Sequence, residues 1–325
     1  VFFYDATFSP VKSVSLLHAG LQAAAHTAGA RGQHDLAQQY RNAAEAVWEG
    51  IRQGSAASLE YLVEHAGDAR VGYHGGQVEG RSTGRWDDAG GFVVARFEQH
   101  TNREGEPALH IHQAILNRQQ CKDGEWRAID SRALFRSRAG AAAVGERTMM
   151  EHLTRVLGVE WVQRADGNGW EIKGVEPEQI AAFSTRRARI TAELERLLAE
   201  YERNHGHQPS ARALFKISQH VTTSSRPSKE QGRLSRAAML KRWEDKLNRE
   251  EVSSLIKIPA RALGLWSPER VPTPVTEEFE ATPAMVERII TTAVARVQQA
   301  KTTFSRHDVL RRINDELPGY LGILP

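Results

Sequence analysis

The amino-acid sequence predicts an α+β fold, in which helices flank a central antiparallel sheet and an all-helical extension follows at the C-terminus. The two clearest strand segments, residues 92–100 and 108–117, are separated by seven residues that include asparagine, glycine and proline, as in a hairpin loop. Segments with apolar residues at helical spacing precede and follow these strands. Because strands joined by hairpins pair antiparallel, the class is α+β rather than parallel α/β.

The N-terminal region is predicted to form a short strand followed by two helices. Residues 1–4 are an apolar run typical of a buried strand. Ser9 is expected to cap the first helix, with Pro10 at its first helical position. Apolar residues at three- and four-residue spacing predict a second helix from about residue 35, and the sequence allows it to continue to residue 64.

The central region is predicted to contain strands and one long helix. The glycine-rich residues 67–91 suggest a short strand at 71–73 and a long loop that is functional or mobile. After the main hairpin, a Lys-Asp-Gly turn indicates a second, short one. Residues 131–157 are expected to form a helix that ends at Gly158, and Trp161 and Trp170 flank the turn of a further hairpin.

Beyond Pro177 the sequence is almost entirely helical in pattern. After a charged helix with an apolar stripe, helices are expected at about 209–220, 233–248, 281–299 and 306–316. A proline- and threonine-rich stretch before the last two is interpreted as a linker. These boundaries predict a core domain at 1–175, a helical segment at 176–262, and a linker with the helical start of a following region at 263–325.

Composition restricts the class of protein. The chain has 325 residues, of which 40% are hydrophobic and 26% charged, as in globular proteins. No apolar run approaches the ~18 residues of a membrane-spanning helix, so no membrane insertion is expected. The single cysteine, Cys121, excludes an intrachain disulfide and fits a reducing cytoplasm.

The basic residues are unevenly distributed. The formal net charge is only +3, yet residues 216–246 contain eight Lys or Arg and three acidic residues. Such a surface suits a polyanion. A solvated basic helix face is an equally weighted alternative.

Three histidines stand close together on the predicted hairpin. His110 and His112 point to the same face of their strand, roughly 7 Å apart. His100 ends the preceding strand, and one hairpin register brings all three imidazoles to one face. Three neutral imidazoles suit a divalent transition metal and leave coordination positions open for a substrate. The alternative is hydrogen-bonded surface or core histidines, because His-x-His alone is a weak signal.

Several segments, taken in order, resemble the MobF-type conjugative relaxases of the HUH endonuclease superfamily. Residues 5–15 match an Asp-x-Thr-Phe-Ser-x-x-Lys-Ser-Val-Ser motif, and His100 precedes a Leu-His-x-His motif at 109–112. The later segments "DGEWRAID", "AAFSTRRARI" and "TTSSRPSKEQGRLSRAAMLKRW" are also similar to family segments, so the resemblance spans residues 1–243. It implies a palm-like HUH sheet.

The resemblance also implies an activity. Such relaxases nick one strand of plasmid DNA at a transfer origin, by a tyrosine that attacks the scissile phosphate and stays joined to the 5′ end. Carried over, His100, His110 and His112 would hold a divalent metal ion, Mg or Mn in the cell, with Zn or Ni as alternatives. Asp5 would hydrogen-bond a ligand histidine and assist proton removal from the tyrosine; the alternative role is capping near the first helix.

The expected partners follow from the same resemblance. They are single-stranded DNA at the transfer origin and the other relaxosome and conjugative secretion proteins, in a bacterial cytoplasm. Candidate phosphate contacts are basic side chains from the matching segments: Lys12, Arg186, Arg187, Arg226, Lys229, Arg233 and Arg236. Trp86 would either stack on a base or anchor its own loop.

The nucleophile is expected outside this chain. In the family the catalytic tyrosines lie upstream of the aspartate motif, and none of the six tyrosines here stands in a segment resembling theirs. We therefore expect the tyrosine to precede Val1 and this chain alone not to nick DNA. The segment from Thr303 resembles the opening of the family's helicase part, although no Walker A motif occurs in the chain.

Two other functions stay open at this point. One is a non-catalytic module that binds single-stranded DNA and retains the metal site. The other is a three-histidine metalloenzyme of a different reaction class.

Overall fold

The computed structural model describes residues 1–72, 84–88, 90–224, 234–264 and 280–322. Its strands are β1 (Phe3–Asp5), β2 (Asp68–Val71), β3 (Arg85–Asp88), β4 (Val94–Thr101), β5 (Pro107–Leu116), β6 (Gln119–Gln120), β7 (Trp126–Arg127), β8 (Trp161–Gln163) and β9 (Trp170–Ile172). Its helices are α1 (Lys12–Ala30), α2 (His34–Ala66), α3 (Ser131–Leu157), α4 (Pro177–Ala182), α5 (Thr185–His205), α6 (Ala211–Ser224), α7 (Arg236–Arg249), α8 (Lys257–Leu263), α9 (Pro283–Ala300) and α10 (Arg306–Glu316).

The main sheet is antiparallel, as predicted, and has the strand order β1-β5-β4. Its central strand β5 alternates between two environments: Leu109, Ile111 and Ile115 are buried, whereas His110 and His112 are only partly covered. The buried side chains join a core with α1, α2 and α3. One face of the sheet therefore packs on helices, and the other face carries the histidine pair.

The α2 and α3 helices form the centre of the helical layer and approach each other closely at glycines. A Cβ on Gly145 would lie 2.5 Å from the carbonyl oxygen of Gly54 and 2.7 Å from the ring of Phe8. Only a residue without a side chain fits at this crossing. The predicted helix over 131–157 and its end at Gly158, which has a φ of 67°, are both confirmed.

Two N-terminal boundaries differ from the prediction. The first helix begins at Lys12, and Ser9 does not cap it. Phe8 exchanges two backbone hydrogen bonds with Ile111, so the chain is still sheet-like there, and Pro10 disfavours helical backbone at the preceding residue. The short strand expected at 71–73 lies at Asp68–Val71 instead, because it pairs with β3; residue 73 is outside the described residues.

The C-terminal helices pack back onto the core. Arg147 of α3 donates hydrogen bonds to the side chain of Asn314 in α10 at 3.0 Å and to the carbonyl oxygen of Pro318 at 2.6 Å. The carboxylate of Glu151 accepts from the backbone N–H groups of Leu321 and Gly322. In the part of the chain that the structure describes, no helix is both long and apolar enough to cross a membrane.

Candidate functional site

The edge of the main sheet brings Asp5 to His112. Asp5 ends β1 and pairs with Ala114, so its side chain reaches the neighbouring histidine of β5. The Nδ1 of His112 lies 2.7 Å from Asp5 Oδ2, while the Thr7 hydroxyl donates to Asp5 Oδ1 at 3.1 Å. A carboxylate at this nitrogen fixes the tautomer in which Nδ1 carries the proton and Nε2 has a free lone pair.

The second histidine of the pair is oriented by the backbone. The Nδ1 of His110 donates to the carbonyl oxygen of Ala108 at 2.9 Å, and this again leaves Nε2 as the free nitrogen. The rings of His110 and His112 have centroids 5.0 Å apart. Burial lowers the pKa of His110, so the ring favours its neutral form, which is the form that ligates metal ions.

The third predicted ligand, His100, faces the helices. Gln99 rather than His100 pairs with His110, and the register shifts between Gln99 and Thr101. The ring of His100 packs at 5.0 Å from that of Trp48 and at 6.0 Å from that of His18. The register that would bring all three imidazoles to one face is therefore not the observed one.

The type of ligand atoms at this site fits a divalent ion, but the number of ligand side chains that converge there is small. Two imidazoles present free nitrogens side by side, and one of them has a supporting carboxylate, which is a common environment for metal-ligating histidine. Across the described residues, however, no three His, Cys, Asp or Glu side chains converge on one point. His110 and His112 therefore lie together as a pair, while the ring of His100 contacts those of Trp48 and His18.

A cavity of about 600 Å³ opens beside Asp5. Residues 4–11 form one wall, and apolar side chains of α2 and α3 form most of the rest, with Arg138, Glu146 and Arg311 as charged members. The ring of Tyr4 packs edge-on against Phe135 at 6.1 Å, so this tyrosine is part of the wall. The cavity leaves space beside residues 4–11 for a further side chain or a substrate.

The residues predicted to contact phosphates differ in their surroundings. Arg187 and Arg236 are exposed, and Arg186 donates to the carbonyl oxygen of Thr222 at 3.3 Å. The predicted contacts Arg226, Lys229 and Arg233 lie outside the described residues.

Lys12 is partly buried, and its ammonium is engaged within the protein. Its ammonium donates to the carbonyl oxygen of Pro107 at 2.8 Å, and burial lowers its pKa. This environment favours a structural role. Trp86 donates its indole N–H to Asp130 at 2.9 Å, which favours the anchoring alternative over base stacking.

Some residues of the site were not singled out from the sequence. Thr7 contacts both Asp5 and His112. Its position two residues after Asp5 could have indicated this, because alternate residues of a strand lie on the same face. His18 and Trp48 contact His100 from α1 and α2. No local pattern marks them, since they meet His100 only through helix packing.

Comparison with known proteins gives concordant matches. A family model described as TrwC relaxase matches residues 1–249. The chain is 26% identical over 332 aligned residues to the multifunctional conjugation protein TraI of Escherichia coli (strain K12), an alignment that covers 99% of this chain. It spans only 16% of the length of that relative.

Solved structures show the same fold. The conjugative relaxase TrwC in complex with oriT DNA, in its metal-bound structure, is 24% identical, with a TM-score of 0.53 over 78% of this chain and 73% of that chain. TrwC complexed with a 27-mer DNA that comprises the recognition hairpin and the cleavage site gives 24% identity and a TM-score of 0.52, over 77% and 75% of the two chains.

Proposed function

Because the chain belongs to the TrwC relaxase family, we propose that it binds single-stranded DNA at a transfer origin and forms the core of a strand-specific DNA-nicking transesterase. The predicted resemblance to MobF-type relaxases is confirmed by the family match. The observation that carries the proposed chemistry is the contact between Asp5 and His112, beside His110, on the face of the sheet away from the helices.

The proposed reaction is a transesterification. A tyrosine hydroxyl attacks the scissile phosphorus, the bond to the 3′ oxygen breaks, and the tyrosine stays joined to the 5′ end of the strand through the phosphate. The family resemblance locates that tyrosine N-terminal to the Asp5 motif. Asp5 accepts the phenolic proton, and the 3′ oxygen takes up a proton from water as it leaves, so that a 3′ hydroxyl group is formed.

We propose His100, His110 and His112 as ligands of a divalent ion, Mg or Mn with Zn or Ni as alternatives. Such an ion would supply positive charge that polarises the oxygens of the scissile phosphate. The fixed tautomers of His110 and His112 support the first two ligands. His100 is the least supported, because its ring contacts Trp48 and His18.

The DNA backbone is proposed to contact basic side chains of the helical segment: Arg186, Arg187, Arg226, Lys229, Arg233 and Arg236. Such contacts make binding salt-dependent, because each neutralised phosphate releases counterions. We further propose that the protein acts in the bacterial cytoplasm with other relaxosome and conjugative secretion proteins. The name of the Escherichia coli relative, a conjugation protein, supports this assignment.

The test is covalent adduct formation on single-stranded origin DNA by the parent protein, with residues N-terminal to Val1 included. We expect a protein–DNA adduct that a chelator prevents and that the double substitution His110→Ala and His112→Ala abolishes. The Asp123→Asn variant, which changes an exposed carboxylate on the turn after β6, should form the adduct normally. Tight DNA binding without any adduct would instead favour the non-catalytic binding module.

The metal ligands are tested on this chain directly by calorimetric titration with Mn²⁺. Loss of binding in both the His110→Ala and the His112→Ala variants would support the pair. The His100→Ala variant tests whether His100 binds the ion together with His110 and His112. Unchanged Mn²⁺ affinity in that variant would remove His100 from the site.

A further inference from the structure

A second cavity, of about 410 Å³, lies between the loop that joins β4 to β5 and the helices α5 and α7. Its lining combines the loop carboxylate Glu104 with aromatic side chains, Phe183 and Trp243, and with arginines that include Arg189 and Arg249. None of these residues belongs to the histidine site. The lining as a whole is mainly charged and polar, so the cavity suits a polar ligand.

The loop beside this cavity is held firmly. The side chain of Asn102 accepts from the backbone N–H groups of Glu104 and Glu106, at 3.0 and 2.9 Å. The indole N–H of Trp243 donates to the carbonyl oxygen of Gly105 at 2.7 Å. The cavity wall is therefore positioned in advance of any ligand.

Two glutamates of the loop differ sharply in their partners. Glu106 is 4% exposed, and its carboxylate accepts from Asn102, Thr185 and Lys246, so it is satisfied within the protein. The Glu104 side chain is only 8% exposed, yet among the described residues neither of its oxygens has a hydrogen-bond partner. Arg189, whose side chain is half exposed, forms an ion pair with it at 3.9 Å.

A buried carboxylate without donors is costly and rare in a folded protein, so its presence in a cavity wall points to a ligand that donates. Two acceptor oxygens side by side match a ligand edge with two adjacent N–H groups. Among the DNA bases only guanine has such an edge, formed by N1–H and the N2 amino group. Adenine, cytosine and thymine each place an acceptor next to the donor, and that acceptor would repel the carboxylate.

We propose that this cavity receives one unpaired guanine of the bound strand, with Glu104 as the residue that selects it. The inference rests on the proposed function, because it requires single-stranded DNA as the substrate. The base edge meets Glu104, and the exposed side chains of Arg189 and Arg249 contact the flanking phosphates. Proteins commonly read single-stranded bases through hydrogen bonds to this edge.

The test is fluorescence anisotropy with the whole chain and oligonucleotides of about 12 nucleotides, within the range of single-strand binding sites. The series is oligothymidylate and the same oligonucleotide with a single central guanine, adenine, cytosine or hypoxanthine. We expect guanine to bind roughly tenfold or more tightly than the other bases, as for hydrogen bonds to a charged group. Hypoxanthine lacks the N2 amino group and should lose most of this preference.

The Glu104→Gln variant should bind the whole series with nearly equal affinity, because its amide N–H₂ opposes the guanine donors. The Glu195→Gln variant makes the same charge change at an exposed position of α5 and should keep the preference. Equal binding of guanine and hypoxanthine by the unmodified chain, or a preference retained in Glu104→Gln, would overturn the inference while leaving the proposed function intact. Absence of binding to the whole series would overturn the proposed function itself.

Discussion

At the residue scale, the site depends on a short contact between two side chains that are 107 positions apart in the chain, Asp5 and His112. Asp5 is partly exposed, and a second donor, Thr7, holds its other oxygen. The carboxylate is thus oriented by Thr7 and orients His112 in turn. This order of contacts makes Asp5 a supporting group for the imidazole, in addition to its proposed role as a proton acceptor.

Replacing Asp5 by Asn tests that support. The amide can no longer enforce the Nδ1–H tautomer of His112, so we expect Mn²⁺ affinity to fall about 10- to 100-fold, the usual effect of losing such a partner. Calorimetric titration measures it, and Asp123→Asn is the matched control because it removes an exposed carboxylate elsewhere. Unchanged affinity in Asp5→Asn would contradict the supporting role.

At the element scale, the glycine contact between α2 and α3 sets the distance between the two longest helices described. Gly54 and Gly145 face each other there and the ring of Phe8 lies against both, so the crossing also positions the strand segment that follows Asp5. Helix packing and the position of the site are linked through this contact.

The Gly145→Ala substitution should destabilise the protein by about 1–3 kcal/mol, because the added methyl group overpacks the crossing against backbone. Alanine is otherwise the better helix former by up to about 1 kcal/mol. The Gly29→Ala variant of α1 is the control, since its Cβ would meet only Ala37 at 3.9 Å, and it should be neutral or stabilising. Denaturant unfolding of both variants checks this. A Gly145→Ala variant as stable as the parent would show that the crossing can relax.

The docking of α10 includes a buried histidine. His307 is 6% exposed, its Nδ1 lies 2.7 Å from the hydroxyl of Tyr61, and its Nε2 lies 3.4 Å from the hydroxyl of Ser137. Burial, followed by the charge of the neighbouring Arg306, lowers the pKa of His307. The folded protein therefore holds the ring in its neutral form.

This lowered pKa predicts a pH dependence of stability. Below the ordinary histidine value of about 6.5 the unfolded chain takes up a proton that the folded chain resists, so stability present above that pH is lost as the pH falls. Thermal unfolding between roughly pH 7.5 and pH 5 should show a smaller decline for His307→Gln than for the unmodified chain. The other buried histidines are common to both proteins, so the difference between the two pH profiles of thermal stability reports on His307. Parallel profiles would contradict the predicted contribution of His307.

At the scale of the whole molecule, residues 280–322 are anchored to the core rather than merely following it. The family match ends at residue 249, yet α10 lies on α3 through hydrogen bonds from Arg147 and to Glu151. The predicted division of the chain at 175 and 262 stays a prediction. Because of these contacts, truncation of the chain at residue 249 would remove the partners of two charged side chains of α3.

The Arg147→Ala substitution tests this anchoring. It removes the donors to Asn314 and Pro318 and leaves their oxygens without partners, so we expect a loss of roughly 2 kcal/mol or more in the free energy of unfolding. Arg147→Lys should rescue little, because an ammonium cannot reproduce the planar set of donors. Chemical denaturation measures both. Full stability of Arg147→Ala would contradict the anchoring role of these hydrogen bonds.

The sequence by itself determined the fold class, the main hairpin, the limits of α3 and the family. These follow from local signals: apolar periodicity, turn residues and short motifs in a fixed order. The same signals placed His110 and His112 on one face, because strand alternation is a local property. They also gave Asp5 as a candidate, although only through the motif.

The tertiary structure decided what depends on register and packing. A shift of register between Gln99 and Thr101 turned His100 toward Trp48 and His18, and no pattern in the sequence encodes that shift. The partial burial of Lys12, and the lack of donors to Glu104 among the described residues, likewise depend on segments far apart in the chain. The sequence shows which side chains are present and how they are spaced. Only the folded chain determines which of these side chains contact each other, because the contacts form between elements that are far apart in the sequence.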